Sequence, residues 1–250
     1  GCEGGSNDGS LTDYCIEPPT VDTPNPGQDE GNSPASTPSS SSSSSSCSFS
    51  VALLADPQIG WNRDGYNSEK LFRVAASHLR ELKPKFILVA GDMIQDPGNN
   101  AQYRTAKSIL DSVNIPYYAI AGNHDVRGNP RLNLLNDFVQ DWNLPYYWYT
   151  VRHCNTLFVM LDSNILRARD DGDAEEEIVE LAVEQLEWLD KTLKDATRDN
   201  DIDHIIPIAH HPLATRSLGE ASKNTNTPRG VRQDLMDIYE AHAGPKLEYV

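Results

Sequence analysis

The sequence is poor in several things, and each shortage excludes something. Its first 47 residues contain no Lys or Arg. No run of 18 apolar residues occurs in the 250-residue chain, so no segment qualifies as a membrane-spanning helix. The four cysteines (Cys2, Cys15, Cys47 and Cys154) never adopt Cys-x-x-Cys spacing, which argues against a thiolate zinc site. Basic residues are scarce: 21 Lys and Arg stand against 37 Asp and Glu, a formal net charge of −16. Seven of those charges lie in the first 47 residues, leaving −9 on the remainder. With no basic stripe to displace counterions, a nucleic-acid scaffold is not expected. Neither an initiator Met nor a signal-peptide core is present at the start, which reads as a processed chain or a fragment.

What the first 47 residues do contain is Gly, Pro, acid and an unbroken Ser39–Ser46 run. Such a composition buries too little apolar surface to offset the entropy of ordering, so residues 1–47 read as a disordered tether. Gly1-Cys2 ahead of a Gly/Ser/Asp-rich stretch also looks like the start of a lipid-anchored lipoprotein, with Cys2 as the anchor. An even cysteine count is compatible with an oxidising compartment. A secreted, periplasmic or surface-anchored location is therefore the expectation, with a cytoplasmic one as the alternative.

At Ser48 the texture changes, and residues 48–250 read as one domain. Ser48–Ala55, Lys85–Ala90 and Pro116–Ala121 are short apolar runs of buried-strand type. Helical spacing separates them, in Asn67–Lys83 (closed by Pro84) and Asn100–Val113. This β-α-β-α-β order predicts parallel strands with right-handed crossovers. A short helix near Leu132–Asp141 precedes two strands, Tyr146–Arg152 and Thr156–Asp162, read as a hairpin around His153–Asn155. An acidic loop leads to a long helix over about Glu175–Asp195, then strand His204–Ala209, a helix near Gly230–His242 and a strand start at Leu247–Val250.

Four strands end in polar groups able to hold a cation: Asp56, Asp92, Asn123 and His210. Strand carboxyl ends are where open α/β sheets bind ligands, so these residues should meet at one edge. Asp, Asn, Gln58 and His form an oxygen-and-imidazole set that suits Mn, Fe, Zn or a similar divalent ion. A carboxylate such as Asp92 can bridge two cations about 3.5–4 Å apart, which together activate a water and polarise a phosphoryl group. His124, beside Asp125, is suited to give a leaving group its proton, the carboxylate orienting the imidazole. Each motif alone is an ordinary turn or loop. Their shared order and position at strand ends favour one site.

The series Asp56-x-Gln58, Gly91-Asp92, Gly122-Asn123-His124-Asp125 and His210-x-Pro212 resembles the calcineurin-like metallophosphoesterase superfamily over essentially Ser48–Val250. The run Ala55-Asp56-Pro57-Gln58 is similar to a branch that includes a single-domain serine/threonine phosphatase. The resemblance implies an α/β fold, a two-sheet β-sandwich flanked by helices. It also implies two divalent ions: Asp56 and Gln58 on the first, Asp92 bridging, Asn123 and His210 on the second. His124 becomes the proton donor, with Asp125 as its partner, in hydrolysis by metal-bound hydroxide. Asn123, Arg127 and His211 are candidate contacts for a phosphorylated small molecule or phosphoprotein, with His211 alternatively a support for the neighbouring ligand His210. Arg63, Arg131 and Arg216 are further candidates near the site.

Two departures accompany the resemblance. Gln58 stands where the first motif usually has His, as it does in the similar branch. The final Gly-His-x-His motif is absent, because the sequence stops at Tyr249-Val250; a truncation is the reading taken. Monoester hydrolysis is the leading expectation. A phosphodiesterase, or a non-catalytic surface protein that keeps the fold, is the alternative.

Overall fold

The computed structural model describes residues 20–22, 47–63, 65–212, 229–242 and 244–248. Two sheets lie face to face with helices outside them. The first sheet holds β2 (Val51–Leu54), β5 (Phe86–Ala90) and β6 (Tyr117–Ile120), in the order β2-β5-β6 and all parallel. The second runs β1-β7-β8-β9, from β1 (Thr20–Asp22), β7 (Tyr149–His153), β8 (Thr156–Met160) and β9 (His204–Ile208). Within it β7 and β8 form the expected antiparallel hairpin, while β9 lies parallel to β8. Leu247 adds a parallel bridge beside Ile205, at the expected strand start. A two-stranded ribbon of β3 (Asn62–Arg63) and β4 (Tyr66–Asn67), not read from the sequence, projects after β2.

Alternation along β5 explains the layering. Phe86, Leu88 and Ala90 point between the sheets, against Tyr149, Val151, Phe158, Met160 and Ile208. Ile87 and Val89 point the other way, into the packing of α1 (Ser68–Leu82), α2 (Asn100–Asp111) and α4 (Leu132–Asp141). Every residue of β5 is buried, as an interior parallel strand covered on both faces requires. In β8 the same alternation sends Leu157 and Val159 towards α6 (Glu176–Arg198) and α7 (Arg229–Ala241). The result is helix, sheet, sheet, helix, the sandwich that the resemblance implied.

Local signals set the boundaries. Asn67 caps α1 by accepting from the Lys70 amide at 2.7 Å, and Lys83 ends it in the left-handed conformation just before Pro84. The hairpin strand starts at Tyr149 rather than Tyr146; Trp148 and Tyr149 pack in the core, and Tyr146 sits edge-on to Trp148 at 4.7 Å.

The proposed tether lies almost entirely outside the described residues. Its exceptions are Cys47 and Thr20–Asp22, the latter pairing in parallel with Thr150–Arg152 at the edge of the second sheet. Cys47 is disulfide-bonded to Cys154, 107 residues away, tying the chain entering β2 to the β7–β8 turn. Closing a loop of that size removes about 4–5 kcal/mol of denatured-state entropy in the chain-entropy model.

Candidate metal centre

All the parallel strands of the first sheet, together with β8 and β9, point their carboxyl ends the same way, and the polar residues that follow them meet there. The loop after β2 runs alongside the loop after β5: Asp56 N–H donates to Gly91 O, Gln58 N–H to Asp92 O and Ile59 N–H to Met93 O, at 3.1, 2.8 and 3.0 Å. Asp56, Gln58 and Asp92 hold φ values of 54°, 39° and 54°. Side chains with a Cβ adopt that left-handed region at a cost, and such outliers gather at functional sites.

Two glycines let the loops touch. A Cβ on Gly91 would lie 2.7 Å from the Gly122 backbone, and one on Gly122 only 2.2 Å from Asp92 Oδ1. That close approach is why both motifs begin with Gly. The Asp92 carboxylate then accepts from the His124 amide at 2.8 Å and, through its other oxygen, from Gln58 Nε2 at 3.3 Å.

Asp56, Asp92 and His210 each bring a ligand atom within 4.8 Å of the others. His210 Nδ1 lies 2.8 Å from the Ala90 carbonyl, which fixes the proton on Nδ1 and leaves the Nε2 lone pair pointing inward. Nε2 there faces Asn123 Oδ1 at 3.2 Å and Asp92 Oδ1 at 3.5 Å. Three acceptors thus converge with no hydrogen to share. A divalent cation resolves that arrangement, and the oxygen-and-imidazole donors suit one. Although Asp56 as a residue is exposed, its carboxylate is turned into this cluster. Desolvation there is the main cause that raises its pKa, and the Asp92 charge adds to it. Gln58 now offers its amide nitrogen to Asp92; turning the amide over would present the oxygen to a cation instead.

Two expected contacts are corrected. Asp125 does not orient His124. Its buried carboxylate accepts from the amides of Gly122 (2.8 Å), Met93 (2.9 Å) and Ile94 (3.2 Å), stapling the second and third motifs together. Burial raises its pKa to about 8, against the pull of those three donors. The partner of the His124 ring is the Gln95 carbonyl, 2.9 Å from Nδ1. His211, expected to touch substrate, is buried, with Nδ1 2.8 Å from Ser163 Oγ and Nε2 2.6 Å from Arg167 Nη1. Because a guanidinium only donates, Nε2 accepts and Nδ1–H donates to the serine. Burial first, and the Arg167 charge second, lower its pKa to about 3. A neutral, doubly held ring supports the loop rather than reaching outward.

The remaining expectations are placed as follows. Arg127 is exposed and has φ 79°; Arg131 pairs with Glu175 at 3.2 Å; Arg63 lies on the β3–β4 ribbon; Arg216 lies outside the described residues. The sequence reading passed over Leu161-Asp162-Ser163-Asn164, although β8 ends there in the same apolar-to-polar step as the other strands. Asp162 caps α5 (Ser163–Ala168), and burial raises its pKa to about 6. Asn164 Nδ2 donates to Ala121 O at 2.9 Å, joining α5 to the end of β6.

The sequence pattern of the family described as calcineurin-like phosphoesterase matches residues 49–242. The chain belongs to that family. It is 30% identical over 205 residues to "Serine/threonine-protein phosphatase CPPED1" of Rattus norvegicus, covering 74% of this chain and 63% of that protein. It is 28% identical over 174 residues to "Probable glycerophosphodiester phosphodiesterase GpdQ" of Arcobacter nitrofigilis, covering 65% of this chain and 56% of that one. The chain therefore spans less than two thirds of either relative. A solved dimetal phosphatase from Danio rerio shares the fold, with a TM-score of 0.52, 18% identity and 78% of each chain covered.

Proposed function

We propose that this protein hydrolyses phosphate monoesters with two divalent ions held at the strand ends. The observation that carries the reading is the convergence of Asp56, Asp92 and His210 within 4.8 Å, with Asn123 and Gln58 against them. Asp56 and Gln58 would hold one ion, Asn123 and His210 the other, and Asp92 both. When bound, such a pair supplies charge to a phosphoryl group and acidifies a water.

The protein's own groups do the rest. Asp125 and the two glycines keep the loops carrying Asp92 and Asn123 at fixed separation. The Gln95 carbonyl holds a proton on His124 Nδ1, so Nε2 is the ring atom that can hand a proton to the leaving oxygen. To act as the donor the ring must carry a proton on Nε2 as well as the one held on Nδ1. The Cys47–Cys154 bridge supports placing the domain in an oxidising compartment, outside the cytoplasm.

A diesterase is the second reading, favoured by the match to the Arcobacter relative. Metal-stripped protein reloaded with Mn²⁺ decides between them on 4-nitrophenyl phosphate and bis(4-nitrophenyl) phosphate. Faster turnover of the monoester supports the proposal. Faster turnover of the diester transfers the case to the second reading, and turnover of neither removes both.

A further inference from the structure

Resting on the phosphoesterase reading, we propose that Trp61 and Tyr66 form an aromatic platform beside the metal centre. On this platform the planar leaving group of an aryl phosphate ester lies, which makes the site selective for aryl over alkyl esters.

The platform starts one tight turn from a proposed ligand. Trp61 N–H donates to Gln58 O at 2.9 Å, closing a four-residue turn through Ile59 and Gly60. Such a turn keeps the Cα atoms of its ends within about 7 Å. From Trp61 the chain enters β3 and returns through β4, with Arg63 opposite Tyr66 and Asn62 opposite Asn67. Cross-strand partners share a face and so do residues two apart, so Trp61, Arg63 and Tyr66 lie on the same side. The rings confirm it, with centroids 4.9 Å apart and planes tilted by 54°.

Among the described residues, exposure separates this pair from the other aromatics. Trp61 is 38% and Tyr66 40% exposed, whereas Trp142, Trp148 and Tyr149 are buried. Two large rings exposed side by side form a contiguous patch of the kind that ligand sites use. The root of the ribbon is fixed: Ile59 bonds to Met93 and Gln95 by backbone, and the Gln102 side chain fills the space where a Cβ on Gly60 would stand. The platform is therefore held at a set position relative to the loop carrying Asp92. Arg63 on the same face adds a cation that can stack on a ring or meet an anionic substituent. The occupant that fits a π surface rooted one turn from a proposed ligand is the ring of the same ester.

The test is binding of phenylphosphonate and methylphosphonate, neither of which is hydrolysed, to the Mn²⁺-loaded protein. Affinities come from inhibition of 4-nitrophenyl phosphate turnover and, independently, from tryptophan fluorescence. The wild type should prefer the phenyl compound by roughly 10-fold or more, the usual worth of one stacked ring. Trp61→Ala and Tyr66→Ala should each shrink that preference, and the double variant should bring it close to one. Trp61→Phe, which keeps a ring, should retain most of it while losing the fluorescence response. An unchanged preference in the double variant overturns the platform even when hydrolysis is robust. If nothing is hydrolysed but phenylphosphonate still binds through Trp61 and Tyr66, the phosphoesterase reading fails and the platform stands.

Discussion

The two ends of the sandwich are built on opposite plans. At the carboxyl ends of the strands, Asp56, Gln58 and Asp92 sit in left-handed backbone, two glycines are pressed together, and carboxylates crowd a histidine lone pair. At the other end, Cys47 and Cys154 are covalently joined, and His153 sits edge-on to Phe49 at 4.6 Å beneath them. One end stores unfavourable electrostatics that a cation relieves. The other contributes stability that needs no ligand. Substitutions at the two ends should therefore divide between activity and folding.

The largest effect is expected from Asp92→Asn, since that carboxylate is the one proposed to hold both ions. Bound metal, read by mass spectrometry, should be lost and turnover should fall to background. The thermal midpoint of the metal-free protein should hold or rise, because a charge has left a crowded cluster. A metal-free variant that unfolds much earlier than metal-free wild type would show that this end is structural after all.

His124→Ala should lower kcat by about 10²–10⁴-fold on an alkyl phosphate, the share of a general acid, with metal content retained. Unchanged kcat would remove the proton-donor role. Gly122→Ala should weaken metal binding by roughly 10–100-fold, in the range seen when the support of a ligand is disturbed. Its Cβ would fall on Asp92 Oδ1, so metal affinity equal to wild type would mean the loops give way easily.

Cys154→Ser should act only at the other end. Unfolding free energy, measured in denaturant, should drop by about 2–5 kcal/mol, with kcat of the metal-loaded protein unchanged. A matching fall in kcat would show that the two ends are coupled through β8.

The same contrast explains what the sequence could reveal. Strands β2, β5 and β6 and the helices α1 and α2 between them were legible, β5 most clearly, because a parallel strand buried on both faces needs an unbroken apolar run, and Phe86–Ala90 is one. The convergence of Asp56, Asp92, Asn123 and His210 followed from topology alone, since each ends a strand. Contacts made through backbone atoms were not legible. Nothing in the residue types says that Gln95 offers its carbonyl to His124, or that Asp125 spends its oxygens on three amides. Adjacency misled in the second case: Asp125 follows His124 directly, but the α3 turn (Asn123–Val126) points the carboxylate back at Gly122. His211 misled similarly, because its burial depends on Ser163 and Arg167, 48 and 44 residues away. The β3–β4 ribbon was missed because two-residue strands carry no periodicity.

The most direct test of the central claim is a titration of metal-stripped protein with Mn²⁺, followed by calorimetry and electron paramagnetic resonance. Two equivalents should bind per chain with magnetically coupled spins, and both should be absent in Asp92→Asn. Failure to bind Mn²⁺, or identical binding in Asp92→Asn, would contradict that claim.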